Sequence, residues 1–273
     1  MPVSWPIRWR LASKPLLACL APLLLAACGQ GGASQANEGG AYTLGLYTSL
    51  PITWSESTDI GSLLAEDGPV HWALPILKSH GEFVPLDTLA ASDGTLPLPQ
   101  DATLLLAQPR PLSPQENVAL DDWVRKGGHV LLLADPMLTA DSAFAPGDPR
   151  RPQDIAMLSP ILARWGLELA FDEAQEAGEH AVSVEGAALP VNLPGQFRLL
   201  GKSGEGSVSG KGGDAVASCH LEAEGLLADC QSGQGHIVAV ADAALLENPL
   251  DSAGLTSRKA VLKRLLQRTR VGM

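Results

Sequence analysis

Hydrophobic residues fall into two kinds of run along the chain. Short continuous apolar runs are typical of strands buried on both faces, and apolar positions three and four residues apart are typical of helices packed by one face. The first pattern predicts strands at residues 42–48, 82–89, 103–109, 129–135, 167–173 and 235–242. The second predicts helices at residues 71–81, 113–126, 155–166 and 256–269. This alternation of strands and helices predicts an α/β fold with a mostly parallel sheet.

The stretch "LSPQENVALDDWVRKGGHVLLLADP", residues 112–136, gives the clearest local prediction. Ser113 is placed to cap a helix, and Glu116 three residues later completes a capping box. Gly127 follows the last basic turn and suits the left-handed position that ends a helix. Together with the strands before and after it, this helix predicts a right-handed βαβ unit with parallel strands.

The pattern changes between residues 179 and 233, where short alternating pieces are separated by glycines. Such pieces predict a small antiparallel β insertion. We therefore expect a single domain over residues 42–273 that carries this insertion. The alternative organisation makes residues 179–233 a subdomain of their own.

The N-terminus has the pattern of an export signal. Basic residues are followed by the 13-residue apolar run 15–27, which Pro22 interrupts and which is short for a membrane span. The run ends in "LAAC", and this order resembles the lipobox of bacterial lipoproteins. The resemblance implies that residues 1–27 are a signal peptide and that Cys28 carries a diacylglycerol. The alternatives are an ordinary secreted protein and an uncleaved N-terminal helix.

Residues 28–41 are rich in Gly, Ser, Ala and Gln, which predicts a flexible tether between the lipid and the domain. The formal net charge is −11, and the predicted signal peptide contains three basic and no acidic residues. Such an acidic chain repels nucleic acid and anionic head groups, so the lipid must provide the membrane attachment. We expect the periplasmic face of a bacterial membrane. Gly29, rather than an aspartate, follows Cys28 and favours the outer membrane.

Cys219 and Cys230 are the only cysteines left after the predicted tether. They flank "HLEAEGLLAD", a segment that could form a hairpin and place the two residues opposite each other. An oxidising periplasm favours pairing, so we predict a structural disulfide. The alternative is a pair of free thiols.

Ligands of open parallel sheets bind beyond the carboxyl ends of the strands. The predicted strands place Thr48, Gln108, Asp135 and Asp242 there, and we assign these four residues to a candidate ligand-binding cleft. Two carboxylates in one cleft could bind a cation, a sugar hydroxyl or a basic group of a partner. The alternative is that each aspartate caps the turn that follows it.

The sequence offers little for catalysis or for a cofactor. The turn after residues 129–135 lacks the G-x-S-x-G pattern of a hydrolase elbow, and the histidines lack the spacing of a zinc site. The glycine-rich segment 201–213 fails the P-loop pattern because neither of its lysines has the required first glycine. We therefore predict no catalytic residue, no metal site and no cofactor.

Three pieces of the chain, in order, resemble a known family: "LSPQENVALDDWVRKGGHVLLLADP", "LSPILARWGLELAFDEA" and "GQGHIVAVADAALLENPL". Their combination is similar to the extracytoplasmic domain of gliding-motility-type ABC transporter auxiliary proteins. The GIFT domains of intraflagellar transport and related bacterial domains look similar. The resemblance covers about residues 42–260. It implies a flavodoxin-like three-layer sandwich related to class I glutamine amidotransferases.

The amidotransferase nucleophile, a cysteine after a central strand, would fall at about Asp135. Its absence implies a non-catalytic branch, and we expect a non-enzymatic accessory or binding subunit of an ABC-type transport or envelope system, with a protein partner. One alternative is a carbohydrate-active or other hydrolase that uses Asp135 and Asp242. Another is a ligand-sensing module.

Overall fold

The computed structural model describes residues 42–56, 70–184, 186–201, 217–249 and 251–271. The predicted signal peptide, Cys28 and the predicted tether lie outside the described residues, as does most of the glycine-rich segment 201–213. The described residues from 42 onwards belong to one compact unit. No helix in this described part of the chain combines the length and the apolar character needed to cross a bilayer.

A seven-stranded central sheet organises the domain, in the order β2-β1-β3-β4-β11-β10-β9. Its first five strands pair in parallel, and the last two are antiparallel. The strands are β1 (Leu44–Thr48), β2 (Phe83–Pro85), β3 (Thr103–Ala107), β4 (His129–Leu133), β9 (Ser218–Glu222), β10 (Leu227–Ser232) and β11 (Gly235–Val240). The parallel part has the flavodoxin strand order. The predicted flavodoxin-like α/β fold is confirmed.

The described residues form four α-helices around this sheet: α1 (Leu74–Lys78), α2 (Pro114–Arg125), α3 (Ser159–Arg164) and α4 (Ser252–Val271). The helix predicted over residues 155–166 begins only at Ser159, because Pro160 suits the first turn of a helix but not its interior. The C-terminal helix α4 contacts β3, β4 and β11 through its apolar face. The continuous apolar strands β3 and β4 are buried along nearly their whole length, as expected.

The ends of α2 follow the sequence signals closely. The Ser113 hydroxyl accepts a hydrogen bond from the Glu116 amide (3.2 Å), and the Glu116 carboxylate accepts one from the Ser113 amide (2.9 Å). The predicted capping box is therefore present. Glu116 also accepts a hydrogen bond from the Leu89 amide at 3.1 Å, which attaches the loop after β2 to the helix.

Gly235 explains why a glycine precedes the last parallel strand. A Cβ at this position would lie 1.9 Å from the carbonyl oxygen of Val124 and 2.5 Å from that of Gly128. Both distances are far below van der Waals contact, so only glycine lets the start of β11 lie against the end of α2. The "GQGH" segment is thus a packing requirement of the βαβ unit.

The region after α3 differs in detail from the expected insertion. The predicted strand at 167–173 is β5 (Leu167–Ala170), and it lies outside the central sheet, where it pairs antiparallel with β8 (Gln196–Leu199). A hairpin of β6 (His180–Val184) and β7 (Ala187–Val191) forms another two-stranded sheet. The remaining strands, β9 and β10, extend the central sheet instead of forming a separate layer.

The antiparallel pairing of β9 and β10 places Cys219 opposite Cys230, and the two are joined by a disulfide. The predicted disulfide is therefore present. It closes the outermost hairpin of the central sheet, where β9 is the edge strand.

Candidate functional site

The strand order creates a switch point between β1 and β3. From β1 the chain leads to β2 on one side, and β3 then lies on the other side. The chain segments that follow these two strands run in opposite directions and leave a crevice beyond the carboxyl ends of the strands. Ligands usually bind in this crevice in sheets of this topology. A cavity of about 310 Å³ lies at this point. This switch-point cavity is lined by Thr48, Ser49, Trp54, Arg110, Phe144, Pro149 and Arg150.

The two hydroxyl groups of the cavity are engaged by the backbone. The Thr48 hydroxyl donates to the Ala107 carbonyl (2.7 Å) and accepts from the Leu50 amide (2.9 Å). The Ser49 hydroxyl donates to the Gln108 carbonyl (2.6 Å) and accepts from the Gln153 amide (2.8 Å). Since each hydroxyl proton is already used, only oxygen lone pairs remain for a ligand. These residues fix the end of β1 against β3.

The cavity wall is aromatic and positively charged. The rings of Trp54 and Phe144 lie 6.1 Å apart, and the Arg150 guanidinium lies 4.2 Å from the Phe144 ring centre. Asp148 holds Arg150 through a 2.9 Å ion pair. Arg110, just beyond β3, is exposed and forms no hydrogen bond or ion pair with any residue that the structure describes. It offers a complete set of guanidinium donors.

Gln108, predicted to face the cleft, is fully buried and connects three chain segments. Its amide nitrogen donates to the carbonyls of Asp135 (3.0 Å) and Gln153 (2.8 Å), and its oxygen accepts from the Asp135 amide (2.8 Å). Its φ of 42° is rare for a residue other than glycine. The three hydrogen bonds keep this conformation in place and tie the ends of β3 and β4 to the following loop.

The structure brings Asp135 and Asp242 close enough for the charge of one to act on the other, and both side chains are at most 1% exposed. The Asp135 carboxylate accepts from the amides of Met137 (2.8 Å) and Ala243 (3.2 Å). Asp242 accepts from the amides of Asn192 (2.9 Å) and Ala244 (2.5 Å). The bonds from Met137 and Ala244 are those of the capping alternative, whereas the other two come from segments distant in sequence. Assignment of the two residues to a ligand site stays a prediction.

Burial changes the protonation of this pair. It raises the pKa of Asp135 to about 6, although hydrogen bonds from backbone amides act in the opposite direction. Burial together with the charge of Asp135 raises the pKa of Asp242 to about 8. Asp242 is therefore mostly protonated at neutral pH, because two neighbouring negative charges in a buried site are energetically unfavourable.

A polar cluster of Glu247, Arg258 and Glu179 lies near Asp242. Burial raises the pKa of Glu247, whose carboxylate accepts a hydrogen bond from the Thr139 hydroxyl at 2.9 Å. Arg258 of α4 is buried, donates to the Ala244 carbonyl and forms an ion pair with Glu179. Within the described ranges, no group of three or more His, Cys, Asp or Glu side chains is arranged to hold a metal ion.

A larger cavity, of about 630 Å³, lies between the β5–β8 sheet and β6. Its lining carries both signs of charge, from Asp172, Arg198 and Glu224. Of the four predicted cleft residues, it contains none. Thr48 lines the switch-point cavity, whereas Gln108, Asp135 and Asp242 are buried behind the strand ends.

Sequence reasoning missed most of the switch-point cavity. Arg110 follows the end of β3 by three residues, so its position beyond a strand was a usable signal. Trp54, Phe144 and Arg150 lie in loops, and no local pattern connects them. Only the three-dimensional path of the chain brings these side chains to the end of β1.

Comparisons with solved structures give distant similarities. An exo-β-1,4-mannosidase from Opitutaceae bacterium strain TAV5 is 14% identical with a TM-score of 0.42, and the match covers 84% of this chain and 34% of that one. A β-galactosidase from Bacillus circulans sp. alkalophilus is 10% identical with a TM-score of 0.34, covering 82% and 31%. This chain thus spans about a third of the length of either glycosidase. A cytoplasmic protein from Salmonella typhimurium is 10% identical with a TM-score of 0.38, covering 82% and 97%.

A search of curated protein sequences finds no significant match. One family model does match the sequence. The matched region begins at β2 and ends in β7, and so includes α2, β4 and the turn at Asp135. Residues 82–189 are thereby similar to the family described as an ABC-type uncharacterized transport system, which supports a transport-auxiliary character for this chain.

Proposed function

We propose that the protein is a non-enzymatic, lipid-anchored periplasmic subunit that assists an ABC-type transport or envelope system. The observation that carries this proposal is the family match over residues 82–189. That region includes the edge strand β2, the strands β3 and β4 and the helix α2, so the similarity includes structural elements at the centre of the domain.

The state of Asp135 supports a role without catalysis. The related amidotransferases, by the resemblance drawn from the sequence, carry their nucleophile at this turn. Here the side chain is an aspartate with no exposed surface, and both carboxylate oxygens accept backbone amides. A nucleophile must reach its substrate, and a carboxylate committed to two backbone hydrogen bonds is poorly placed to do so. The hydrolase alternative therefore stays a prediction, and the burial of the Asp135 carboxylate does not support it.

The anchored location rests on the N-terminal pattern that ends at Cys28. A lipid-held domain with an acidic surface would meet its partner at the membrane, and the tether would let it reach a permease. The outer membrane, favoured by Gly29, would instead place the partner in an envelope complex that spans the periplasm.

Crosslinking in intact cells tests the proposal. The full-length protein carries a C-terminal affinity tag, and the cells are treated with an amine-reactive crosslinker before gentle solubilisation. We expect specific recovery of a permease, an ATPase or another envelope component of a transport system. The control is a fusion of residues 1–41 to an unrelated periplasmic domain, which reports partners that follow membrane location alone. Recovery of the same proteins with both baits, or of the tagged protein alone, argues against the accessory role.

A further inference from the structure

We infer that the switch-point cavity binds a small anionic ligand that carries a ring, with Arg110 holding the anion and Trp54 contacting the ring. The inference goes beyond the proposed accessory role and does not depend on it. It concerns a site formed by residues that follow β1 and β3 and by the loop between β4 and α3.

Charge is the first step. The chain has a formal net charge of −11, with 30 acidic residues, yet the described residues that line this cavity include two arginines and no carboxylate. One arginine, Arg150, is already neutralised by Asp148. Arg110 has no partner within the described part of the chain. A guanidinium that no described carboxylate neutralises attracts an anion.

The shape of the available groups selects among anions. The planar fork of a guanidinium matches the two oxygens of a carboxylate or a phosphate. The hydroxyl groups of Thr48 and Ser49 do not compete as donors, because their protons are used by backbone carbonyls. Recognition of the anion therefore falls to Arg110, with the uncommitted edge of Arg150 as a secondary contact.

The aromatic wall of the cavity indicates the second feature of the ligand, a flat ring. Phe144 is buried, and Arg150 lies over its ring. Trp54 packs beside Phe144 but remains 38% exposed. An exposed indole at the mouth of a cavity offers an apolar face for a flat ring, either an aromatic ring or the apolar face of a sugar. A bare anion would leave this surface in water.

Size limits the ligand further. The cavity volume of about 310 Å³ is at the lower end of the range of roughly 300–1,000 Å³ typical of small-molecule sites. It accommodates one ring with its anionic group, and it excludes a dinucleotide or a buried polymer segment. The expected class is a single-ring carboxylate or phosphate.

The test uses the mature chain, residues 28–273, with Cys28→Ser so that it is produced without lipid. Four probes separate the two ligand features: phenyl phosphate and benzoate carry ring and anion, inorganic phosphate carries only the anion, and benzyl alcohol carries only the ring. Binding is followed by ¹H–¹⁵N NMR through the indole N–H of Trp54, which a Trp54→Phe variant assigns. We expect this signal to shift with phenyl phosphate or benzoate at lower concentration than with either single-feature probe.

Two variants connect the signal to named residues. Arg110→Gln should weaken binding of the ring-bearing anions by about tenfold or more, as expected for loss of a charged hydrogen bond. Lys78→Gln is the matched control, since it removes one positive charge from an exposed position that lines none of the cavities described above, and it should leave binding unchanged. Both substituted residues are exposed, and superposed spectra elsewhere would verify the fold.

Each result decides the inference. A shift with phenyl phosphate but not benzoate assigns the ligand to the phosphate class, and the reverse assigns it to the carboxylates. Equal binding of inorganic phosphate and phenyl phosphate overturns the ring contact. An unchanged Trp54 signal with all four probes, or equal effects of Arg110→Gln and Lys78→Gln, overturns the site.

Discussion

At the scale of single residues, the buried pair Asp135 and Asp242 shows how one sequence signal can serve two structural purposes. Both aspartates end parallel strands, which is where ligand-binding carboxylates are expected. In the folded protein the same position brings each carboxylate to the free amides of the following turn, and both are enclosed. The sequence predicted their place at the strand ends. Their burial depends on the neighbouring segments, such as the one at Asn192, which no local pattern specifies.

The raised pKa of Asp242 makes folding stability depend on pH. Its folded pKa of about 8 is above the ordinary value of 3.8, so between these values the folded state holds a proton that the unfolded chain releases. The stabilisation is complete below pH 3.8 and is lost as the pH rises through 8. Between pH 6 and 7 we expect the free energy of unfolding to fall by about 1.4 kcal/mol per pH unit from this group, and by less as the pH approaches 8. Urea unfolding of the mature chain at intervals from pH 5 to 9 measures this slope.

Asp242→Asn removes the titrating group and should flatten most of that slope, while Asp122→Asn, an exposed control on α2, should retain it. A residual slope remains in the variant because the pKa values of Asp135, Glu247 and His236 are also raised. Burial alone would lower the pKa of His236, but hydrogen bonds to Asp229 (2.6 Å) and to the Thr269 carbonyl (2.9 Å) raise it on balance. Its contribution is present below pH 6.5 and also declines as the pH rises. Equal slopes in wild type and Asp242→Asn contradict the assignment to Asp242.

At the scale of secondary structure, prediction succeeded where the signals lie within one segment. It failed where strands pair with partners distant in sequence. The capping box at Ser113 and the apolar runs of β3, β4 and β11 specify α2 and the parallel strands almost by themselves. Residues 167–173 read as another strand, but nothing in their pattern states that the partner is β8. The assignment of β9 and β10 to the central sheet is equally non-local, since strand pairing is determined by tertiary packing.

The disulfide between Cys219 and Cys230 should stabilise the edge hairpin by restricting the unfolded chain. With a sequence separation of 11 residues, loop-closure entropy predicts a contribution of about 3 kcal/mol. The double variant Cys219→Ala/Cys230→Ala should lose this amount in urea unfolding under oxidising conditions. Wild-type protein unfolded in the presence of a reductant serves as the matched control and should show a similar loss. A loss in reductant that also occurs in the double variant would exclude the disulfide as its source.

At the scale of the whole molecule, acidity and localisation belong together. The chain's net charge of −11 gives it no electrostatic attraction to an anionic membrane surface. The described helices provide no span. If the protein acts at a membrane, as we propose, attachment must come from the lipid predicted at Cys28. A single acyl chain binds reversibly, whereas the several chains of a bacterial lipoprotein hold the protein firmly.

Labelling with an alkyne derivative of palmitate tests this attachment directly. Wild-type protein expressed with its own residues 1–27 should incorporate the label and sediment with membranes after a high-salt wash, because lipid insertion is insensitive to salt. Cys28→Ser should lose the label, and Cys19→Ser, which changes only the predicted signal peptide, should keep it. A second construction joins Cys28→Ser to a signal peptide that is cleaved without lipid addition, and it should appear in the soluble periplasmic fraction. Membrane association of that unlipidated form would show that a protein contact, and not the lipid, holds the domain in place.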